Sequence, residues 1–281
     1  MSAILPAIRS ALQPAIRAAI SGVYGSSSTW SPLTLFAASE VGVWYDPSDF
    51  STMYQDSAGT TPVTAVGDPV GKILDKSGNG KHATQATDAS RPILRNDGTN
   101  YYLEFDGVGD SLATAAIDFS ATVDGSFFAG FRKNSDSNTK VIVETSTSYS
   151  GGGFIVTAPD SAAANYGFAM RAIEGNVGRV STTFTAPVTN VLSCNFVGAP
   201  TSSALKILPR INGVVPTLTT PAGTFTQKVF QNAPLYIGSR AGTTFFANGR
   251  IYSLIILGRT ATALEIAAAE AYVAGKCGVT L

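Results

Sequence analysis

The chain has 281 residues, of which 44% are hydrophobic and 14% are charged, and its 19 basic and 19 acidic side chains cancel. This length suits one β-sandwich domain, because such domains often reach about 200–250 residues. A balanced charge creates no net field to attract nucleic acid or an anionic membrane, so we expect neither partner. Cys194 and Cys277 are too few for a disulfide framework or a zinc site, and free thiols are expected.

The sequence contains no apolar run of the roughly 18 residues that a membrane-spanning helix requires. Arg9 and Arg17 interrupt the apolar stretch at the N-terminus, and no basic cluster precedes it. We therefore expect neither a transmembrane segment nor a cleaved signal peptide. Release by lysis, as for the components of a virion, fits this pattern.

Residues 1–22 are predicted to form a helical segment, which Pro14 would kink or split. The segment either packs on its own domain or docks on a partner. The Gly/Ser-rich linker that follows, residues 23–40, favours docking, because a stripe ahead of a flexible linker has no neighbour to pack against except a partner. We assign residues 1–22 to attachment or oligomerisation. Six residues at helical spacing form the apolar, partner-binding stripe: Ile4, Leu5, Ile8, Leu12, Ile16 and Ile20.

From residue 41 to residue 281 the chain is predicted to form one β-domain. Short runs rich in aromatic and β-branched residues, such as SFFAGFR (126–132) and NVLSCNFVG (190–198), are separated by turn residues, as is typical of a β-sandwich. The alternation in the second run predicts that Cys194 faces a core.

Local signals predict two turns and one helix. Asn-Gly pairs at positions 212–213 and 248–249 are typical of type I′ hairpin turns, because both residue types tolerate positive φ. Thr262 and Glu265 predict a capping box for a short C-terminal helix, which Gly275 or Gly278 would end.

The polar run DKSGNGKHATQ, residues 75–85, contains the only histidine, His82. Asp75, Ser77 and Asn79 alternate as in the first half of an EF-hand loop, but the bidentate Glu expected at the twelfth position is missing. The run is therefore interpreted as a structural turn in preference to a weak calcium site at Asp75 and Asn79. His82 is interpreted as a solvated loop residue, since no nucleophile motif accompanies it.

The run LEFDGVGD, residues 103–110, is the best candidate for catalytic carboxylates. Glu104 and Asp106 could share one face of a strand, as in laminarinase-type glycosidases, which need two carboxylates about 5 Å apart. Glycines break the strand before a second Glu could appear, and Asp110 is out of register. We therefore expect a protein that is not an enzyme.

Five blocks in a fixed order carry a resemblance to a known family. They are DKSGNG (75–80), LEFDGVGDSL (103–112), RINGV (210–214), PLYIGSR (234–240) and GRIYSLIILGR (249–259). Together they resemble the laminin-G-like, concanavalin A-like lectin/glucanase domains over residues 41–281. The resemblance implies an all-β fold, a concanavalin A-like jelly-roll sandwich of two antiparallel sheets, with a helical segment before it and a short helix after it.

The stretch of residues 43–85 is similar to sequences in tail, baseplate or fibre proteins of bacteriophages and prophages. This resemblance implies a non-enzymatic virion protein whose lectin-like domain recognises carbohydrate on the host cell surface. Its partners would be other phage tail or baseplate proteins, bound through the N-terminal segment. The chain would also form a homo-oligomer, for which we expect a trimer. A structural spacer without a ligand is the alternative, and a polysaccharide-active glycoside hydrolase is less favoured.

The resemblance also implies candidate site residues. Carbohydrate-binding members use carboxylates and amides at one rim or on the concave sheet, and the matching residues here are Asp106, Asp110 and Asn134. No cofactor is expected apart from weakly bound calcium. Four aromatic residues could stack on sugar rings, although packing inside the protein is favoured for each. They are Trp44, Tyr101, Tyr102 and Tyr149.

Overall fold

The computed structural model describes residues 30–145, 152–171, 177–198, 206–218 and 230–281. Within these ranges the chain forms eighteen strands and one α-helix. The expected all-β sandwich, closed by a short C-terminal helix, is confirmed. The predicted N-terminal helix, with its apolar stripe, lies outside the described residues and stays a prediction.

The strands in chain order are β1 (Gly42–Tyr45), β2 (Met53–Tyr54), β3 (Lys72–Ile73), β4 (Ala83–Thr84), β5 (Ile93–Asn96), β6 (Tyr101–Asp106), β7 (Leu112–Thr114), β8 (Ile117–Asp118), β9 (Asp124–Lys133), β10 (Val141–Thr145), β11 (Gly153–Thr157), β12 (Asn165–Arg171), β13 (Val177–Thr183), β14 (Val188–Val197), β15 (Lys206–Ile211), β16 (Asn232–Ala233), β17 (Leu235–Ile237) and β18 (Asn248–Leu257). The helix α1 is Ala263–Cys277, and the 3₁₀ helices are Pro32–Phe36, Phe50–Thr52 and Asp88–Ser90.

Two antiparallel sheets form the sandwich. The seven-stranded sheet has the order β15-β14-β9-β18-β6-β5, and β1 pairs with the second half of β18, beyond the end of β6. The nine-stranded sheet has the order β13-β12-β11-β10-β17-β7-β4-β3-β2, and β16 and β8 form a separate two-stranded sheet. Every described pairing is antiparallel, and neighbours in a sheet often come from distant parts of the chain.

The main core lies between the two sheets and is built by alternate residues of each strand. In β9, Phe127, Ala129 and Phe131 point into it, and in β14 Leu192 and Cys194 do the same. The prediction that Cys194 faces a core is therefore confirmed, and both cysteines are free thiols.

A second apolar cluster covers the outer face of the seven-stranded sheet. Helix α1 packs there on β9, β14 and β18, and Phe128 lies among the buried residues of this layer. Gly130 allows the close approach, because a Cβ at this position would lie 3.0 Å from the Cβ of Cys277. Because β9 is buried on both faces, its sequence is a nearly continuous apolar run and does not alternate between apolar and polar residues.

The predicted capping box at the start of α1 and the predicted glycine at its end are both confirmed. The hydroxyl of Thr262 accepts a hydrogen bond from the Glu265 N–H, and the Glu265 carboxylate accepts one from the Thr262 N–H. Gly278 ends the helix with a φ of 68°, a left-handed conformation that glycine adopts without strain. Gly275, the alternative, lies inside the helix.

One of the two Asn-Gly predictions is right and the other is wrong. Asn212 and Gly213 have φ values of 51° and 75° and form a tight turn after β15. Asn248 and Gly249 instead begin the long strand β18. Gly249 is needed there for close packing, because a Cβ would lie 2.6 Å from the Phe131 ring and would also meet the Arg132 carbonyl oxygen.

The described part of the predicted linker, residues 30–40, packs against the sandwich. Its 3₁₀ helix buries Leu35 and Phe36 in the layer beside α1, and the Trp30 ring lies edge-on to Tyr272 at 6.2 Å. Composition alone did not show this packing, because the apolar residues are embedded among serines. Within the described ranges, no helix is long and apolar enough to cross a bilayer.

Candidate functional site

The run of residues 75–85 folds as a structural turn, the interpretation that the sequence favours. Both oxygens of the Asp75 carboxylate accept hydrogen bonds: Oδ1 from the N–H groups of Trp44 and Ser77, and Oδ2 from the Ser77 hydroxyl and the Lys81 N–H. Asp75 is buried, so these four donors replace its hydration shell. The turn thereby joins the start of the domain, at β1, to the end of β3.

Asn79 and His82 complete this turn. The Asn79 amide donates to the carbonyl oxygens of Glu40 and Gly42, and Nδ1 of His82 accepts from the Asp75 N–H at 3.1 Å. His82 is half-buried and hydrogen-bonded, so its interpretation as a solvated loop residue is corrected. Because Asp75 and Asn79 are engaged by protein groups, the contacts support the turn more than a calcium site. The described residues contain no cluster of three or more potential metal ligands.

Asp106 and Asp110, two of the predicted site residues, lie together at one rim of the sandwich. Oδ1 of Asp106 accepts from the N–H groups of Val108, Gly109 and Asp110, which closes the turn between β6 and β7. Oδ2 of Asp110 accepts in turn from the Asp106 N–H at 3.0 Å. The two carboxylates therefore hold the turn, and the exposed one, Asp106, also faces solvent.

Asn134, the third predicted residue, is brought to the same rim by strand pairing. Asn248 is the cross-strand partner of Asp106, and its carbonyl oxygen accepts from the Asn134 N–H at 3.1 Å. Lys140 joins the group, because its ammonium donates to the Gly107 carbonyl oxygen at 3.0 Å. The structure thus gathers all three predicted residues and adds Asn248 and Lys140, which the sequence did not single out.

The environment of Asp110 changes its acidity. Burial raises the pKa of its carboxyl to about 6; the hydrogen bond from Asp106 opposes the rise, while the charges of Asp106 and Glu104 add to it. Asp110 therefore changes charge at mildly acidic pH, close to the exposed carboxylate of Asp106.

Glu104 and Asp106 share the outer face of β6, as the sequence predicts, but each is committed elsewhere. Oε2 of Glu104 accepts from Nε of Arg95 at 3.0 Å, and Asp106 closes its own turn. The aromatic candidates mostly pack internally: Trp44 and Tyr102 are buried on the face beside α1, and Tyr101 lies edge-on to Phe50. Tyr149 lies outside the described residues.

The outer face of the nine-stranded sheet is the surface that the sequence did not reveal. Three residues at its centre and toward β12 are buried, Ala169, Ile155 and Glu144, so only part of this face is open. One residue from each of the nine strands lies in a single cross-strand row, and the neighbours of these residues along the strands, such as Phe154, Phe168 and Leu235, point into the core. The row therefore points away from the core. In sheet order it consists of Arg179, Ala169, Ile155, Glu144, Tyr236, Ala113, Thr84, Lys72 and Tyr54.

Half of this row forms what we call the tyrosine trough, defined by Tyr54, Lys72, Thr84, Ala113 and Tyr236. All five are partly exposed. The short side chains of Ala113 and Thr84 lie between Tyr236 on one side and Lys72 with Tyr54 on the other. Because strands lie about 4.8 Å apart, the trough spans about 19 Å over its four strand spacings.

Glu144 is the residue of the row that lies next to the trough, beside Tyr236. Glu144 is 1% exposed, and its Oε2 accepts from Nε of Arg240 at 3.2 Å. The Arg240 guanidinium also lies 4.6 Å from the centre of the Phe245 ring, in the loop that connects β17 to β18. Lys72 lies 5.9 Å from the Tyr54 ring and donates to the Ala58 carbonyl oxygen at 3.4 Å.

Sequence signals for the trough are weak, because its strands are short. Strands β2, β3 and β4 have two residues each, too few to show an alternating pattern. The alternation of Leu235, Tyr236 and Ile237 is the one local signal, since it marks a single polar-tipped aromatic between two core residues.

Comparison with known proteins identifies the fold without a close relative. No family model matches the sequence. No curated protein matches it either. Among solved structures, it is similar to the receptor binding domain of botulinum neurotoxin type G, with 12% identity and a TM-score of 0.53, over 74% of this chain and 50% of that chain.

Two further structures show the same similarity. The receptor binding domain of a mosaic serotype C/D botulinum neurotoxin has 10% identity and a TM-score of 0.53, over 83% of this chain and 51% of that one. A type C neurotoxin structure, described by its dependence on two ganglioside molecules for cell entry, has 10% identity and a TM-score of 0.51, over 75% and 51%. The chain thus spans about half the length of these domains, and it shares with them a β-sandwich fold.

Proposed function

We propose that this protein is a non-enzymatic tail, baseplate or fibre protein of a bacteriophage, whose sandwich binds carbohydrate on the host cell surface through the tyrosine trough. The phage assignment rests on the sequence resemblance of residues 43–85 and of the lectin-like blocks. The assignment of binding to this face rests mainly on one observation: the nine strands present a continuous row of outward side chains, and two partly exposed tyrosines flank short residues within it.

The chemistry of the trough suits a sugar. A tyrosine ring offers an apolar face to the C–H groups of a pyranose, and its hydroxyl and the Thr84 hydroxyl can exchange hydrogen bonds with sugar hydroxyls. The opposite sheet offers less room, because α1 and the 3₁₀ helix Pro32–Phe36 cover much of its outer face. The similarity to domains named for receptor binding supports a binding role for the fold.

A hydrolytic role is less favoured by the geometry. A glycosidase needs two carboxylates about 5–10 Å apart across the scissile bond. The described row across the outer face of the nine-stranded sheet has one carboxylate, Glu144, which is buried and paired with Arg240. Glu104 and Asp106 lie on the other sheet and are engaged by Arg95 and by the turn at Asp106.

The test is an array of glycans and bacterial polysaccharides, probed with the full-length protein in calcium and in chelator. We expect selective binding that Tyr236→Ala weakens by about three- to tenfold, the loss expected for one aromatic contact. Leu264→Ala is the matched control, because Leu264 is exposed on α1, on the outer side of the other sheet. Binding that depends on calcium would direct attention to Asp75 and Asn79 or to the rim at Asp106.

Two results would contradict the proposal. Absence of binding from a protein that melts cooperatively would leave the structural spacer as the better function. Selective binding that Tyr236→Ala does not change would place the carbohydrate on another surface, with the rim of Asp106, Asp110 and Asn134 as the next candidate.

The proposal extends to assembly through residues 1–22. We propose that the stripe of Ile and Leu residues attaches the sandwich to other tail or baseplate proteins and joins copies of the chain, as a trimer. Sedimentation of the full-length protein tests the oligomer, and a monomer at all concentrations would contradict it.

A further inference from the structure

The side of α1 that faces away from the sheet is apolar and open. Four residues lie on it at helical spacing, and we call them the α1 face: Leu264, Ala267, Ala271 and Gly275. The Leu264 side chain is 44% exposed, and Ala271 and Gly275 are exposed. A Cβ at Gly275 would meet nothing within 4 Å, so another helix has room to approach closely there.

No charge of α1 is available to this face. The helix has three charged residues, and each forms an ion pair with a residue outside it: Glu265 with Arg259, Glu270 with Arg210, and Lys276 with Asp46. A partner of the α1 face would therefore meet apolar side chains and no free charge, so its own contact surface should be apolar.

The 3₁₀ helix Pro32–Phe36 runs beside α1 in the opposite direction and widens the apolar surface. Its Leu35 carbonyl oxygen accepts from Nη2 of Arg259 at 3.3 Å, and that guanidinium pairs with Glu265 in the first turn of α1. Trp30, before the 3₁₀ helix, contacts Tyr272 near the other end of α1. Leu33, between these two contacts, is 52% exposed.

This direction determines where the N-terminal segment joins the domain. Followed backward from Leu35 to Trp30, the chain leads from the first turn of α1 toward its C-terminal end. Residues 23–29, which come before, number seven and can span up to about 24 Å. Continued in the same direction, they lead past the end of α1 and away from the α1 face of their own copy.

We infer that the apolar stripe of residues 1–22 packs on the α1 face of a neighbouring copy of this chain, with Leu33 at the border of the contact. The inference rests on the proposed assembly through residues 1–22 and identifies the surface that receives the stripe. The Ile and Leu side chains of the stripe supply the apolar surface that the α1 face requires, and its alanines and glycine allow close helix packing. Each copy then gives one segment and receives one, a contact that closes a ring when the rotation between copies is three-fold.

Sedimentation of the full-length protein tests this surface. We expect the wild type to be a trimer and Ala271→Arg to raise the dissociation constant about tenfold or more, because the contact would bury an unpaired charge. Arginine favours a helix almost as well as alanine, so α1 should still form, and circular dichroism with a cooperative melt checks this. Ala115→Arg is the matched control, because Ala115 is exposed after β7, at the end of a strand of the other sheet.

Ile8→Arg, in the stripe, separates this inference from the proposed assembly. If Ile8→Arg dissociates the trimer and Ala271→Arg does not, the assembly holds but the α1 face is the wrong surface. A wild type that is monomeric at all concentrations would overturn both. Equal effects of Ala271→Arg and Ala115→Arg would reduce the result to added charge and overturn the inference.

Cross-linking tests whether the segment reaches a neighbour. An Ile8→Cys protein mixed with an Ala271→Cys protein and treated with a short bifunctional maleimide should give a covalent pair of the two chains. The two native cysteines are buried, and each single variant treated alone is the control for their reaction. Cross-linking that occurs only within a chain carrying both substitutions would place the segment on its own α1 and overturn the inference.

Discussion

Replacing Glu270 by glutamine should destabilise the protein, because this residue fastens α1 to two strands at once. The Glu270 carboxylate is 2% exposed, and its Oε1 accepts from the Ser193 hydroxyl at 2.6 Å and from Nε of Arg210 at 2.8 Å. Its Oε2 accepts from Nη2 of Arg210 at 3.3 Å. Ser193 lies in β14 and Arg210 in β15, so one side chain joins three elements.

The size of the effect follows from burial. Removing one partner of a fully buried ion pair costs about 3–5 kcal/mol. The Arg210 side chain is 32% exposed, so water can solvate part of its charge, and the glutamine carbonyl can still accept from Ser193. We therefore expect Glu270→Gln to lower the free energy of unfolding by about 2 kcal/mol.

Urea unfolding followed by circular dichroism measures this change as a lower midpoint with an unchanged slope. Asp88→Asn is the matched control, because Asp88 pairs with Arg91 but is 87% exposed, and we expect a change within about 0.5 kcal/mol. A double-mutant cycle with Arg210→Met should give a coupling energy of about 1–2 kcal/mol. A Glu270→Gln protein as stable as the wild type would refute the role assigned to this contact.

Two further predictions concern close packing and acid stability. Gly249→Ala should destabilise the protein by about 1–3 kcal/mol, because the new Cβ would lie 2.6 Å from the Phe131 ring. Gly275→Ala should instead stabilise α1 by about 0.5–1 kcal/mol, because a Cβ there would meet nothing within 4 Å. Thermal melts of both variants check this, and equal effects on stability would contradict it. Burial would raise the pKa of Asp46, but hydrogen bonds from Ser48, Lys276 and Tyr272 and the charge of Lys276 lower it overall. The stabilisation by Asp46 is therefore complete above the pKa of this group in the unfolded chain, and it is lost as pH falls through the lower pKa of the folded protein. Asp46→Asn should be less stable than the wild type at pH 7, and its free energy of unfolding should depend less on pH in acid. Parallel pH profiles of the two proteins would contradict this.

The sequence by itself determined features that depend on a few neighbouring residues. The capping box of Thr262 and Glu265 and the turn at Asn212-Gly213 were predictable because their hydrogen bonds close within one or two turns of chain. The long strands were predictable because alternation within one strand decides which face is buried, as at Cys194. The order of its blocks also indicated the lectin-like sandwich.

The tertiary structure decided what depends on register between distant strands. Asn248-Gly249 has the composition of a hairpin turn, but pairing with two neighbouring strands, β6 and β9, holds it in an extended conformation. The tyrosine trough joins residues from strands that lie far apart in the chain. A shift of one residue in any pairing would move such a side chain to the other face of its sheet, and the packing of the whole core determines that register.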